Sequence, residues 1–146
     1  MGEQHSYLEV SQTAGRDFMM RDIAGPVVML NLLRFREIAD YSANPELAQD
    51  APISGRDAFL RYYQHTLPFL EASRGEVLLL GDGGPWLIGP PDEHWDMAML
   101  IRQTSVEAFI AWNSDAAYLA GIGHRTAAIA DSRLLPLVTH RFGKED

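Results

Sequence analysis

The chain has 146 residues, 47% of them hydrophobic and 22% charged, with a net charge of −8 and no cysteine. That length and composition fit one globular domain, and the acidic balance argues against nucleic acid and against anionic lipid. The missing thiols exclude disulfides, thiolate catalysis and sulfur-ligated zinc or iron–sulfur centres. No run approaches the roughly 18 apolar residues of a membrane span. The stretch Met1-Gly2-Glu3-Gln4-His5 lacks the charged-then-apolar pattern of a signal peptide, so cytoplasm is the expected compartment.

An N-terminal helical extension is expected over about 13–24, with Thr13 as N-cap and Gly25-Pro26 ending it. Val27 to Phe35 reads as a strand that is apolar on both faces: Val27, Met29, Leu33 and Phe35 on one, Val28, Leu30 and Leu32 on the other. A polar stretch over about 37–53 reads as a long loop, of the kind that often serves as a lid or binding loop. Ser54 should cap the main helix, whose apolar stripe carries Phe59, Tyr62, Tyr63, Thr66, Leu67 and Leu70 and in which Pro68 should introduce a kink. His65 lies off that stripe and is expected at the surface. Glu76 to Leu80 reads as the second strand. Gly81-Asp82-Gly83-Gly84-Pro85 reads as a turn, with a strand continuing at Trp86. Trp95 to Arg102 is the third strand, again apolar on both faces. Thr104 to Glu107 forms a capping box ahead of another helix. Ser114 is expected to cap a short helix over 115–120, Gly121 and Gly123 to break the chain before a helix over 124–130, and 133–141 to form the last strand. Pro136 marks that strand as an edge or bulged one.

The order strand, helix, strand, strand, helix, strand is the ferredoxin-like split βαβ plan: an α+β domain with an antiparallel four-stranded sheet over the whole of 1–146. Two long helices cover only one face of such a sheet, yet its strands are apolar on both. The economical partner for the second face is the same sheet of another copy, so a homodimer is expected.

Several segments resemble the family named domain of unknown function 1330, within the dimeric α+β barrel superfamily, in its longer variant. They are Gly25 to Arg36, Ser54 to Tyr63, Trp95-Asp96, Ala108-Phe109 with Tyr118, and His124-Arg125 to Leu134, in that order over nearly the whole chain. Trp112-Asn113 departs from the pattern, where members more usually carry a small or sulfur-containing residue; this bears on pocket shape. The resemblance implies the fold and the dimer and no established activity. The same superfamily holds cofactor-free monooxygenases, lactone isomerases and haem enzymes, so fold does not choose among them.

The residues themselves suggest a site. His124 suits a general base near neutral pH, and Arg125 suits a carboxylate clamp at a glycine-preceded helix start. Asp96 heads an apolar strand, where partial burial would fit it to proton transfer. These three are the catalytic candidates, expected to meet near Asn31 or Tyr63. Asn31, Arg34, Tyr63, Trp95 and Tyr118 are the ligand-binding candidates. Each has a structural alternative. Arg125 could pair with Asp96 or Asp131 and lock the last helix to the sheet, Asn31 could bond a backbone group, and the aromatics could be core. The histidines show no metal-ligand spacing, and no haem, flavin, nucleotide or metal motif is found, so no cofactor is expected. Two functions stay open. One is a small-molecule-binding protein or cofactor-independent enzyme, performing proton transfer on, or oxidation of, a small carboxylic or phenolic metabolite. The other is a non-catalytic dimeric scaffold.

Overall fold

The computed structural model describes residues 6–140; Met1 to His5, read above for a signal pattern, and Arg141, expected to end the last strand, lie outside them. Helix α1 spans Gln12–Met20, capped by Ser11, whose hydroxyl accepts from the Ala14 N–H. The cap is therefore two residues earlier than Thr13. Strand β1 spans Val27–Phe35 as expected, and the long loop that follows holds only a 3-10 turn over Pro45–Leu47 and one bridge, Ile38 to Ser54. Helix α2 spans Gly55–Ala72 with Ser54 as its cap and runs past Pro68. Strand β2 (Glu76–Pro85) and strand β3 (His94–Gln103) form a long hairpin. Helices α3 (Val106–Asn113), α4 (Ala116–Leu119) and α5 (Ile122–Ala128) lead to strand β4 (Ile129–Leu137). Among the described residues, no helix is long and apolar enough to cross a membrane.

The glycine cluster Gly81 to Gly84 lies inside β2 and is no turn. Gly83 explains why: a Cβ there would sit 2.4 Å from the carbonyl oxygen of Trp95, so only glycine lets the two strands approach. The strands are joined instead over Trp86 to Glu93, with bends at 87–89 and a turn at Pro91 and Asp92. Helix α5 and strand β4 begin two and four residues before their expected starts, because Gly123 does not break the helix. It packs inside it, with Asn44 and Leu47 of the long loop against its Cα.

The sheet order is β2-β3-β1-β4, all pairs antiparallel, the ferredoxin-like arrangement. On one face Leu33, Met97 and Met99 pack with Ala58 and Phe59 of α2 and with Ala128 and Ile129. Val27 and Met29 continue that face beneath Val106 and Phe109 of α3 and Phe18 of α1. The helices thus share one side. On the other side Leu30 lies between Leu100 and Leu135, Leu32 between Ala98 and Arg133, and Leu79 beside Leu100. Leu79 and Leu135 stay about half exposed, at 50% and 52%. Pro136 is tolerated because β4 is an edge strand.

Candidate functional site

At the end of β1 the pairing with β3 stops at Leu33–Met97, and the register with β4 slips between Arg34 and Phe35. Beyond the end of the β1–β3 pairing, the Asp96 carboxylate of β3 accepts the Phe35 N–H at 2.8 Å. His94 stands 3.5 Å from the other oxygen of Asp96. The irregularity also gathers charge on the bare side of the sheet. Asp131, opposite Arg34 in β4, accepts the N–H groups of Tyr7 and Ser132 at 2.8 Å each and Arg133 at 2.7 Å. Burial would raise the Asp131 carboxyl, but these donors hold it below the ordinary carboxylate value.

Arg34 is tied more loosely. Its guanidinium comes within 3.6 Å of Asp131, beyond good hydrogen-bond length, and it makes no hydrogen bond among the described residues. It lies over the Trp95 ring at 6.0 Å, and Arg133 lies over the same ring at 4.9 Å. Trp95 is buried, and its indole N–H has no acceptor among the described residues. Two hollows lie at this end of the sheet. One, of about 310 Å³, is lined by Tyr7, Arg34, Pro90, Asp92, Glu93, Asp131 and Arg133. The other, of about 190 Å³, is apolar and lined by Leu32, Ala98, Pro85, Trp86, Leu87 and Trp95 itself. A charged recess beside an apolar one, with unused donors on Arg34, can hold a small anion with an apolar body.

The three catalytic candidates share no hydrogen bond or ion pair. Asp96 is engaged with Phe35 and His94. Arg125 pairs with neither Asp96 nor Asp131. It donates to the Leu8 carbonyl at 2.7 Å and toward the Ser132 hydroxyl at 3.4 Å, while that hydroxyl donates to the Tyr7 carbonyl. Arg125 therefore clamps the N-terminal segment, including Tyr7, against the edge of β4. His124 meets Tyr41 of the long loop, with the Tyr41 hydroxyl 2.8 Å from Nδ1. Gln49, at the other end of the same loop turn, gives its amide to the Leu47 carbonyl at 2.8 Å. Burial, with the charges of Arg61 and His65, pushes the His124 pKa down; burial pushes that of Tyr41 up.

Among the ligand-binding candidates, Arg34 and Trp95 come together and the others stand apart. Asn31 lies in the strand row that pairs with Met99 and donates to the Met29 carbonyl at 3.2 Å. Tyr63 packs on the core beneath α2. Tyr118 is buried with its hydroxyl 2.7 Å from that of Tyr62, ringed by Phe69 and Trp112, and burial pushes its pKa strongly upward. His65, expected at the surface, is half-buried: α4 folds over it, and its Nε2 donates to the Ala117 and Tyr118 carbonyls. Sequence reasoning missed Tyr7 and Arg133 as site residues and named Asp131 only as a partner for Arg125. One signal was available: Arg133 sits two residues beyond Asp131, on the same strand face.

No family profile and no curated protein matches the chain. Solved structures do. SnoaB, a cofactor-independent oxygenase from Streptomyces nogalater, matches at 13% identity and a TM-score of 0.50, over 84% of this chain and 100% of that one, a likeness of fold alone. RPA0582, a protein of unknown function from Rhodopseudomonas palustris, matches at 32% identity and a TM-score of 0.81, over 94% of this chain and 99% of that one. The methylated form of RPA0582 matches at 33% identity and a TM-score of 0.83, over 95% and 98%. With a third of its residues identical across nearly the whole of both chains, the protein belongs to the family of RPA0582.

Proposed function

We propose that the protein is a homodimer that binds a small carboxylic or phenolic metabolite in the recess beside Arg34, in the cytoplasm and without haem, flavin or metal. One observation carries the reading. The guanidinium of Arg34, faced by an acid only at 3.6 Å, lines a hollow of about 310 Å³ at the end of an uncovered apolar sheet face. Arg offers a planar pair of donors that matches a carboxylate, and a hollow of this size is at the small end of ligand sites. The dimer is supported by the leucines left open on that face, and it would set a second sheet opposite the recess. The segment resemblance supports membership in the domain of unknown function 1330 family. The fold is compatible with cofactor-independent oxidation, as the oxygenase SnoaB shows for itself.

A thermal-shift screen of small carboxylates and phenols tests this. Hits are expected for the wild type and should vanish in Arg34→Ala, a partly exposed site whose loss leaves the melting temperature little changed. Hits that persist in Arg34→Ala would refute the site.

A second reading rests on His124. Its imidazole is neutral near pH 7, and its Nε2 carries no hydrogen bond among the described residues. In the tautomer in which the Tyr41 hydroxyl donates to Nδ1, Nε2–H is a donor, suited to polarising a substrate oxygen more than to removing a proton. His124→Gln, which keeps a donor, should then retain more turnover than His124→Ala.

A further inference from the structure

The charged hollow is lined by two arginines, Arg34 and Arg133, and by three acids, Asp92, Glu93 and Asp131. One pair is spent on itself. Asp131 takes Arg133 at 2.7 Å along with the Tyr7 and Ser132 N–H groups, and Arg133 also donates to the Ser132 carbonyl at 2.8 Å. The other three are open. Arg34 makes no hydrogen bond among the described residues and faces Asp131 only at 3.6 Å. Asp92 makes no hydrogen bond and no ion pair among them. Glu93 accepts the Trp86 indole N–H on one oxygen at 2.5 Å and leaves the other unused there. The open groups come from different elements: Arg34 from β1, Asp92 and Glu93 from the connection between β2 and β3.

We infer that the ligand of this hollow is a free amino acid, held as the zwitterion with its carboxylate on Arg34 and its ammonium on Asp92 and Glu93. This rests on the binding site proposed above and names its ligand class. The balance of charge decides it. With Arg133 and Asp131 paired off, a single cation shares the wall with two acids, so the open part of the hollow is net negative. A plain carboxylate would satisfy the guanidinium and then stand beside two uncompensated acids, and like charges brought together cost affinity. An ammonium on the same ligand turns those acids into acceptors of charge-assisted hydrogen bonds. The volume, about 310 Å³, suits a single amino acid. Its side chain is apolar or aromatic, because the two uncharged residues of the wall are Tyr7 and Pro90.

The experiment compares L-phenylalanine with 3-phenylpropanoate by calorimetric titration; the two differ only in the ammonium group. The wild type should bind the amino acid about tenfold more tightly, the worth of one hydrogen bond between charged groups. The double variant Asp92→Asn, Glu93→Gln keeps both side chains in shape without their charges, on a connection outside the core. It should bind the two compounds about equally. Arg34→Ala should bind neither. Equal or tighter binding of 3-phenylpropanoate by the wild type, with binding still lost in Arg34→Ala, would overturn this inference and leave the site standing. A preference for the amino acid that survives in the double variant would also overturn it. Failure of both compounds to bind in an Arg34-dependent way would overturn the site and the inference together.

Discussion

Asp131 gathers two backbone N–H groups and Arg133 into a nearly buried position, with Arg34 at longer range. Its folded pKa is depressed, so its contribution to stability is complete above the ordinary carboxylate value near 3.8 and is lost as pH falls through the lower folded value. His124 is also depressed, but as a base. Its neutral form is the folded one, so stability falls as pH drops below the ordinary histidine value near 6.5, until the folded value is reached. Urea unfolding across pH should therefore show two declines toward acid, with His124→Gln removing the upper and Asp131→Asn the lower. Arg125 holds a backbone carbonyl and a hydroxyl but no acid. Arg125→Ala should cost about 1.5–3 kcal/mol, the worth of a charge-assisted hydrogen bond, and less than the breaking of a buried ion pair. A loss near 5 kcal/mol in urea unfolding would contradict that assignment. Arg34 and Trp95 could be named from the chain because each interrupts or heads an apolar strand. Tyr7 could not, since its place depends on Arg125 and Ser132 reaching across from α5 and β4.

The strands were readable where side chains alternate. Val27–Phe35 matches its expected span because both of its faces are apolar and Gly25-Pro26 stops the chain before it. The β2–β3 hairpin was misread because five turn-forming residues, Gly81 to Pro85, serve there as strand. Gly83 lies against the backbone of Trp95, a tertiary contact that no local pattern encodes. The same holds for Gly55, where a Cβ would fall 2.2 Å from the Arg36 carbonyl oxygen, at the point where β1 hands over to α2. Gly55→Ala should force α2 off the end of β1 and destabilise the fold by more than about 2 kcal/mol despite alanine's better helix propensity. Gly84→Ala, where a Cβ meets nothing, should change the stability little by the same denaturation measurement.

For the molecule as a whole, the uncovered leucines of β1, β3 and β4 decide the assembly. Sedimentation should find a dimer at micromolar concentration, and Leu100→Asp, which places a charge in the middle of the bare face, should yield a folded monomer. A wild-type monomer would remove the reason for a sheet-to-sheet dimer. The fold was legible because periodicity and element order survive in a single chain. The site was legible only in part, because it arises where a strand register slips, and a slip leaves no mark in composition. The most direct test of the account is a titration of the ¹⁵N-labelled protein with benzoate, followed by the amide and indole resonances. The account predicts shifts concentrated at Arg34, the Trp95 indole and residues 131–133, with the Trp112 indole unmoved. Shifts centred on Tyr41, Arg61 and His124, or none at millimolar benzoate, would contradict it.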